Sequence, residues 1–165
     1  MPHYAAAAMI ALIPPLLFVL AWGFALIGWN APGADAATPF DEQALRWILF
    51  LAVGWAGVGG AIPHTIFARQ TAKSIGWETN GFQYEVGFAN LAVGLAGIYA
   101  SGQDTPAAWI AASIAGGAFL ALAGAYHVVE IFRERNYAPG NTAILISDFG
   151  IPISLVALLI ATGAI

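Results

Sequence analysis

The sequence predicts an all-α polytopic membrane protein: a single domain over residues 1–165, built as a bundle of five transmembrane helices. Three observations predict it. Only 8% of the 165 residues are charged and 60% are hydrophobic, whereas soluble domains carry about 25% charged residues. Mean hydropathy is +0.78. Five apolar stretches, at about 5–29, 44–68, 82–101, 107–132 and 142–165, reach the roughly 20 residues that a helix needs to cross the hydrocarbon core. They must be helical, because an open strand would leave its backbone groups unpaired in lipid.

Composition also removes several function classes. The chain has no cysteine, which excludes disulfides, thiolate metal sites and cysteine nucleophiles together. No basic run offers a footprint for nucleic acid. Ser74, Ser101, Ser113 and Ser147 lack the glycine-flanked elbow of a serine nucleophile, so no residue is assigned a catalytic role.

The first stretch carries Pro14-Pro15 in its interior, which predicts a kink, and no ionisable residue. It is too long for the apolar core of a signal peptide and no Lys or Arg precedes it, so it is read as the first span. Residues 30–43, with Pro32, Asp35, Pro39, Asp41 and Glu42, form an acidic loop. The second span opens on Arg46-Trp47, read as an interfacial pair, and runs to about Arg69. Gly54, Gly57, Ala61, His64 and Ala68 recur along one of its faces. A stripe of small residues lets a second helix approach closely, which turns His64 toward protein rather than lipid.

The third span repeats the device with Gly87, Asn90, Gly94 and Gly97. Asn80 caps it, with Gln83 three residues on, and Glu85 sits one turn inside. In the fourth span Gly116 and Gly124 are the packing glycines, and His127 and Glu130 share a face. A turn at Pro139-Gly140 leads into the fifth span, which holds Asp148 and a kink-prone Pro152.

Four of the five basic residues, Arg69, Lys73, Arg133 and Arg135, lie in or beside the second and fourth connections. The positive-inside rule then places the N-terminus in the cytoplasm and the C-terminus outside. Trp29, Trp47 and Trp109 fall together as an outer aromatic belt. With this topology His64, Glu85, His127, Glu130 and Asp148, with Asn90 slightly deeper, share the cytoplasmic third of the bundle. The outer half holds nothing comparable. His64 precedes Glu85, and His127 precedes Asp148, by the same 21 residues, a weak sign of two parallel repeats.

Charged groups are costly within a bilayer and mark functional sites. The reading adopted is a site at His64, Glu85, Asn90, His127, Glu130 and Asp148 that binds or translocates a proton, a cation or a small polar solute. Two alternatives stay open. One is a non-catalytic accessory or assembly subunit of a larger membrane complex, docked through the glycine faces. The other is a cofactor site: a divalent metal on His64, Glu85, His127, Glu130 and Asp148, or haem between His64 and His127. The partners expected are the lipid bilayer itself and either further copies of the chain or a larger complex.

Two stretches, Ser74-Ile75-Gly76-Trp77 through Phe82-Gln83-Tyr84-Glu85-Val86-Gly87-Phe88-Ala89-Asn90-Leu91, and Asn136-Tyr137-Ala138-Pro139-Gly140-Asn141 through Asp148, carry a resemblance. They resemble an uncharacterised prokaryotic family of small multi-pass membrane proteins, labelled as a domain of unknown function, over about the last 100 residues. Asn80-Gly81 stands where that family would have Ser-Pro. The resemblance implies a cytoplasmic membrane and supplies no activity, substrate or cofactor.

Overall fold

The computed structural model describes residues 12–165 and is all-α across them. Among the described residues three helices are long and apolar enough to cross a membrane: Phe40–Thr65, Pro106–Glu134 and Pro139–Ala161. The other two expected spans differ for separate reasons. Of the stretch 5–29, α1 is Ile13–Leu26, an apolar helix of 14 residues; residues 27–29 turn out of it, and residues 5–11 lie outside the described residues. The stretch 82–101 does form a 20-residue helix, Phe82–Ser101. Gln83, Glu85, Asn90 and its glycines hold its hydropathy below that of the other three.

The residues that would precede a kink at Pro14-Pro15 lie outside the described residues. Both prolines lie in the first turn of the described α1, where a missing N–H costs no helical hydrogen bond. The loop after α1 is folded rather than loose. The Asp35 carboxylate accepts from the Ala37 and Thr38 N–H groups at 2.9 and 3.1 Å, and these bonds hold its pKa below the usual 3.8.

The second span is a compound helix. α2, Phe40–Trp47, passes into a π-helical segment, Ile48–Trp55, and then into α3, Ala56–Thr65. It ends before Arg69, because the chain breaks at Ile66-Phe67 and turns into a short amphipathic helix α4, Ala68–Ile75. Ala68 therefore leaves the small-residue stripe predicted for it. Gly76, at φ +88°, closes α4 in the left-handed conformation that glycine adopts without strain. α5 is Phe82–Ser101 and α6 is Pro106–Glu134. A single turn, α7, Pro139–Thr142, leads into α8, Leu145–Ala161.

The second and third spans meet backbone to backbone. A Cβ on Gly94 would stand 2.5 Å from the Val58 nitrogen and 2.7 Å from the Gly54 oxygen, and one on Gly57 would stand 2.7 Å from the Asn90 oxygen. Gly87 faces Thr65 and His64, and Gly97 faces Leu49 and Val53. Gly116 receives Val53, and Gly124 lies against Asp148 and Phe149. The glycine faces are thus occupied within the chain.

The packed core sits at one end. Ala21, Leu45, Ile48, Leu49, Ile151 and Leu155 are its fully buried centre. Beyond it lies a cluster that the sequence reading missed. Arg46 is 1% exposed, not interfacial. It contacts Glu42 at 2.7 Å and Asp104 at 2.5 Å, donates to the Ser101 carbonyl at 3.1 Å, and lies over the Trp109 ring. A guanidinium with several acceptors and an aromatic face is among the few ways to bury a cation. Trp47 and Trp109 are likewise buried, so of the expected aromatic belt only Trp29 faces outward.

Candidate functional site

At the opposite end the helices diverge around a cavity of about 260 Å³. Its apolar wall comes from the middle of the bundle and includes Val53, Val93, Leu120 and Ile151. Its other end is polar: His64, Thr71, Ser74, Tyr126 and His127 reach it, with the Trp77 ring. The connection after α3 and the turn before α8 close this end. Asn136 donates to the Ile75 carbonyl at 2.7 Å. A Cβ on Gly140 would stand 2.8 Å from the Ser74 oxygen, so only glycine permits this approach.

The local sequence explains how the two imidazoles are held. Pro63 gives up its own N–H, and its carbonyl accepts from the Thr71 hydroxyl at 2.7 Å, which folds α4 back under α3. His64 then meets Gln83 of α5, whose amide donates to Nδ1 at 2.7 Å. Gln83 does not turn back to cap its own helix as expected. Asn80 makes the local bond instead, accepting from the Phe82 N–H at 2.9 Å. His127 is buried, with Nδ1 2.6 Å from the Asn141 Oδ1 and its ring stacked on Trp77 at 5.5 Å.

The six predicted site residues fall in four places. His64, Asn90 and His127 line the cavity. The Asn90 amide donates to the Val86 carbonyl of its own helix at 3.0 Å. Asp148 stands behind His127, 1% exposed, with Oδ2 at 3.9 Å from Nε2. Glu130 lies one turn beyond His127, where it accepts from the Trp77 indole at 3.1 Å and hydrogen-bonds the Tyr126 hydroxyl.

Glu85 is exposed on the outer side of α5, away from the cavity. It follows His64 at the expected interval, but Gln83 is the residue that reaches the ring. The repeat therefore fails at the level of side chains. Convergence of all the acids fails with it: among the described residues no three His, Asp or Glu side chains could hold one metal ion. The five-residue metal set is thereby corrected, since Glu85 and Glu130 point elsewhere. Haem fares no better: the cavity is far smaller than a porphyrin needs, and the Gln83 amide donating to the His64 Nδ1 leaves the hydrogen of that neutral ring on Nε2, the atom that would have to ligate iron. Gln83 and Asn141, which sequence reasoning had placed only in caps and turns, are the residues that position both rings.

Neither the curated proteins nor the solved structures contain a match to this chain. A family model does match, over residues 11–164. With nearly its whole length covered, the chain belongs to DUF6790, a family of unknown function.

Proposed function

We propose that this is a five-span protein of a prokaryotic cytoplasmic membrane whose cavity binds a small amphiphilic molecule. The carrying observation is the polarity of the cavity: apolar side chains at the bundle centre, and two imidazoles, hydroxyls and an indole at the end closed by α4 and α7. A ligand with a short apolar body and a neutral hydrogen-bonding head fits both halves. At about 260 Å³ the cavity lies just under the usual range for small-molecule sites, about 300–1,000 Å³, so the occupant is short.

The small-solute reading is favoured over the accessory-subunit reading by the glycine faces. Gly54 and Gly57 pack on Gly94, and Gly87 packs on Thr65 and His64, so these faces are not left for a partner. It is favoured over a bare cation because the wall is mainly apolar and the acids do not converge.

A bromine-bearing medium-chain alcohol tests this on protein in lipid nanodiscs. Trp77 lines the cavity, so its emission should be quenched saturably, and the saturable part should vanish in Trp77→Phe and weaken at least tenfold in Ala123→Phe. Quenching that rises linearly with alcohol in the bilayer and ignores Ala123→Phe would end the proposal.

A further inference from the structure

We propose that His127 and Asp148 form a buried proton-binding site that holds one proton between Nε2 and Oδ2. Asn141 is fully buried. Its amide nitrogen donates to the His127 carbonyl at 3.2 Å and to the Asn136 carbonyl at 2.9 Å. With both amide hydrogens committed to carbonyls, the amide oxygen is the atom that faces the His127 Nδ1 at 2.6 Å. A carbonyl oxygen only accepts, so Nδ1 carries the hydrogen, and in the neutral ring the lone pair lies on Nε2.

That nitrogen faces the Asp148 Oδ2 at 3.9 Å, and Oδ2 is buried without a hydrogen-bond partner. Two acceptors thus face each other with no donor between them. One proton makes them complementary, as a carboxylic acid donating to imidazole or as imidazolium beside carboxylate. Without it, a bare carboxylate would stand unpaired in the interior of a membrane bundle, at a cost that folded proteins avoid. The separation is about one ångström longer than a hydrogen bond, within reach of a rotation of the carboxyl group.

Among the described residues no neighbour supplies that proton. Glu130, on the same helix, is engaged with Trp77 and Tyr126. His64 of α3 lines the same cavity, but its Nδ1 is engaged by the Gln83 amide. Arg69 and Lys73 of α4 are exposed, as is Glu85 of α5. The described part of α1 carries no titratable group. Behind Asp148, a Cβ on Gly124 would stand 2.8 Å from the Asp148 Cβ, so no second polar group fits there. His127 borders the cavity while Asp148 does not, which gives the site a single approach, through the imidazole.

The test uses the full chain in lipid nanodiscs at neutral pH, with ¹⁵N-histidine for NMR and ¹³C-aspartate for infrared spectroscopy. The expected result is one proton on the pair: a carboxylic-acid stretch from Asp148 with a singly protonated His127 ring, or a carboxylate with a doubly protonated ring. Asp148→Asn should abolish the acid stretch in the first case and return the ring to its neutral form in the second. A carboxylate beside a singly protonated ring, or an acid beside imidazolium, overturns the proposal. The isotope readout on the unmodified chain decides between these outcomes even if Asp148→Asn does not fold.

Discussion

At the scale of single residues, the two amides matter as much as the two histidines they hold. Asn141 makes three hydrogen bonds from a fully buried position. Asn141→Leu leaves two carbonyls and an imidazole N–H without partners, each worth about 1–3 kcal/mol when buried. Some relaxation will recover part of this, so the expected loss is about 2–4 kcal/mol, read as a lowered unfolding midpoint in detergent or nanodiscs. The sequence made His127 and Asp148 conspicuous because ionisable residues are rare in apolar stretches. It could not mark Asn141 or Gln83, whose amides are ordinary at turns and helix starts. Nor could it tell Glu85 from Asp148, since both lie one turn into a helix and only the packing decides which faces inward.

At the scale of elements, the small-residue stripes were the most legible feature, because period and residue type together dictate a close helix–helix contact. The contact is made by main chain, which makes it intolerant of any added atom. Gly94→Ala should cost about 1–3 kcal/mol, because the new methyl would meet the Val58 nitrogen and the Gly54 oxygen rather than a side chain that could move. Gly59→Ala is the control. Its Cβ meets nothing within 4 Å, so it should stabilise by up to about 1 kcal/mol through helix propensity alone. Equal effects at the two positions, measured by chemical unfolding, would show that α3 and α5 do not pack as described. Less legible was the end of the second span. Arg69 looked like an interfacial terminus, but the break at Ile66-Phe67 and the Thr71–Pro63 bond reuse that segment as α4.

At the scale of the whole molecule, the two ends of the bundle are built differently. One end is filled by core side chains and fastened by Arg46; the other is held apart around a cavity. The sequence reading assigned all the chemistry to the basic-loop end and overlooked the cation at the opposite one, because an arginine beside a tryptophan at a helix start ordinarily marks an interface. The chain lacks cysteine, so its orientation can be read by single-cysteine labelling with a membrane-impermeant maleimide. Lys73→Cys and Arg135→Cys should label from the cytoplasmic side, and Thr38→Cys and Gln103→Cys from the other. Labelling of Lys73→Cys and Arg135→Cys from opposite faces would contradict the five-span topology.

The π-helical segment Ile48–Trp55 places a phase offset inside the second span. A π-helix accommodates about one more residue over such a length than an α-helix does. Each residue of an α-helix advances the azimuth by about 100°, so a one-residue surplus turns everything downstream by about that angle. Downstream of this offset the Gly57 face and His64 point at α5, while Leu45 and Ile48 upstream keep their place in the core. The span behaves as two helices of different phase joined without a loop. Its first half is indexed to the packed end of the bundle and its second half to the cavity.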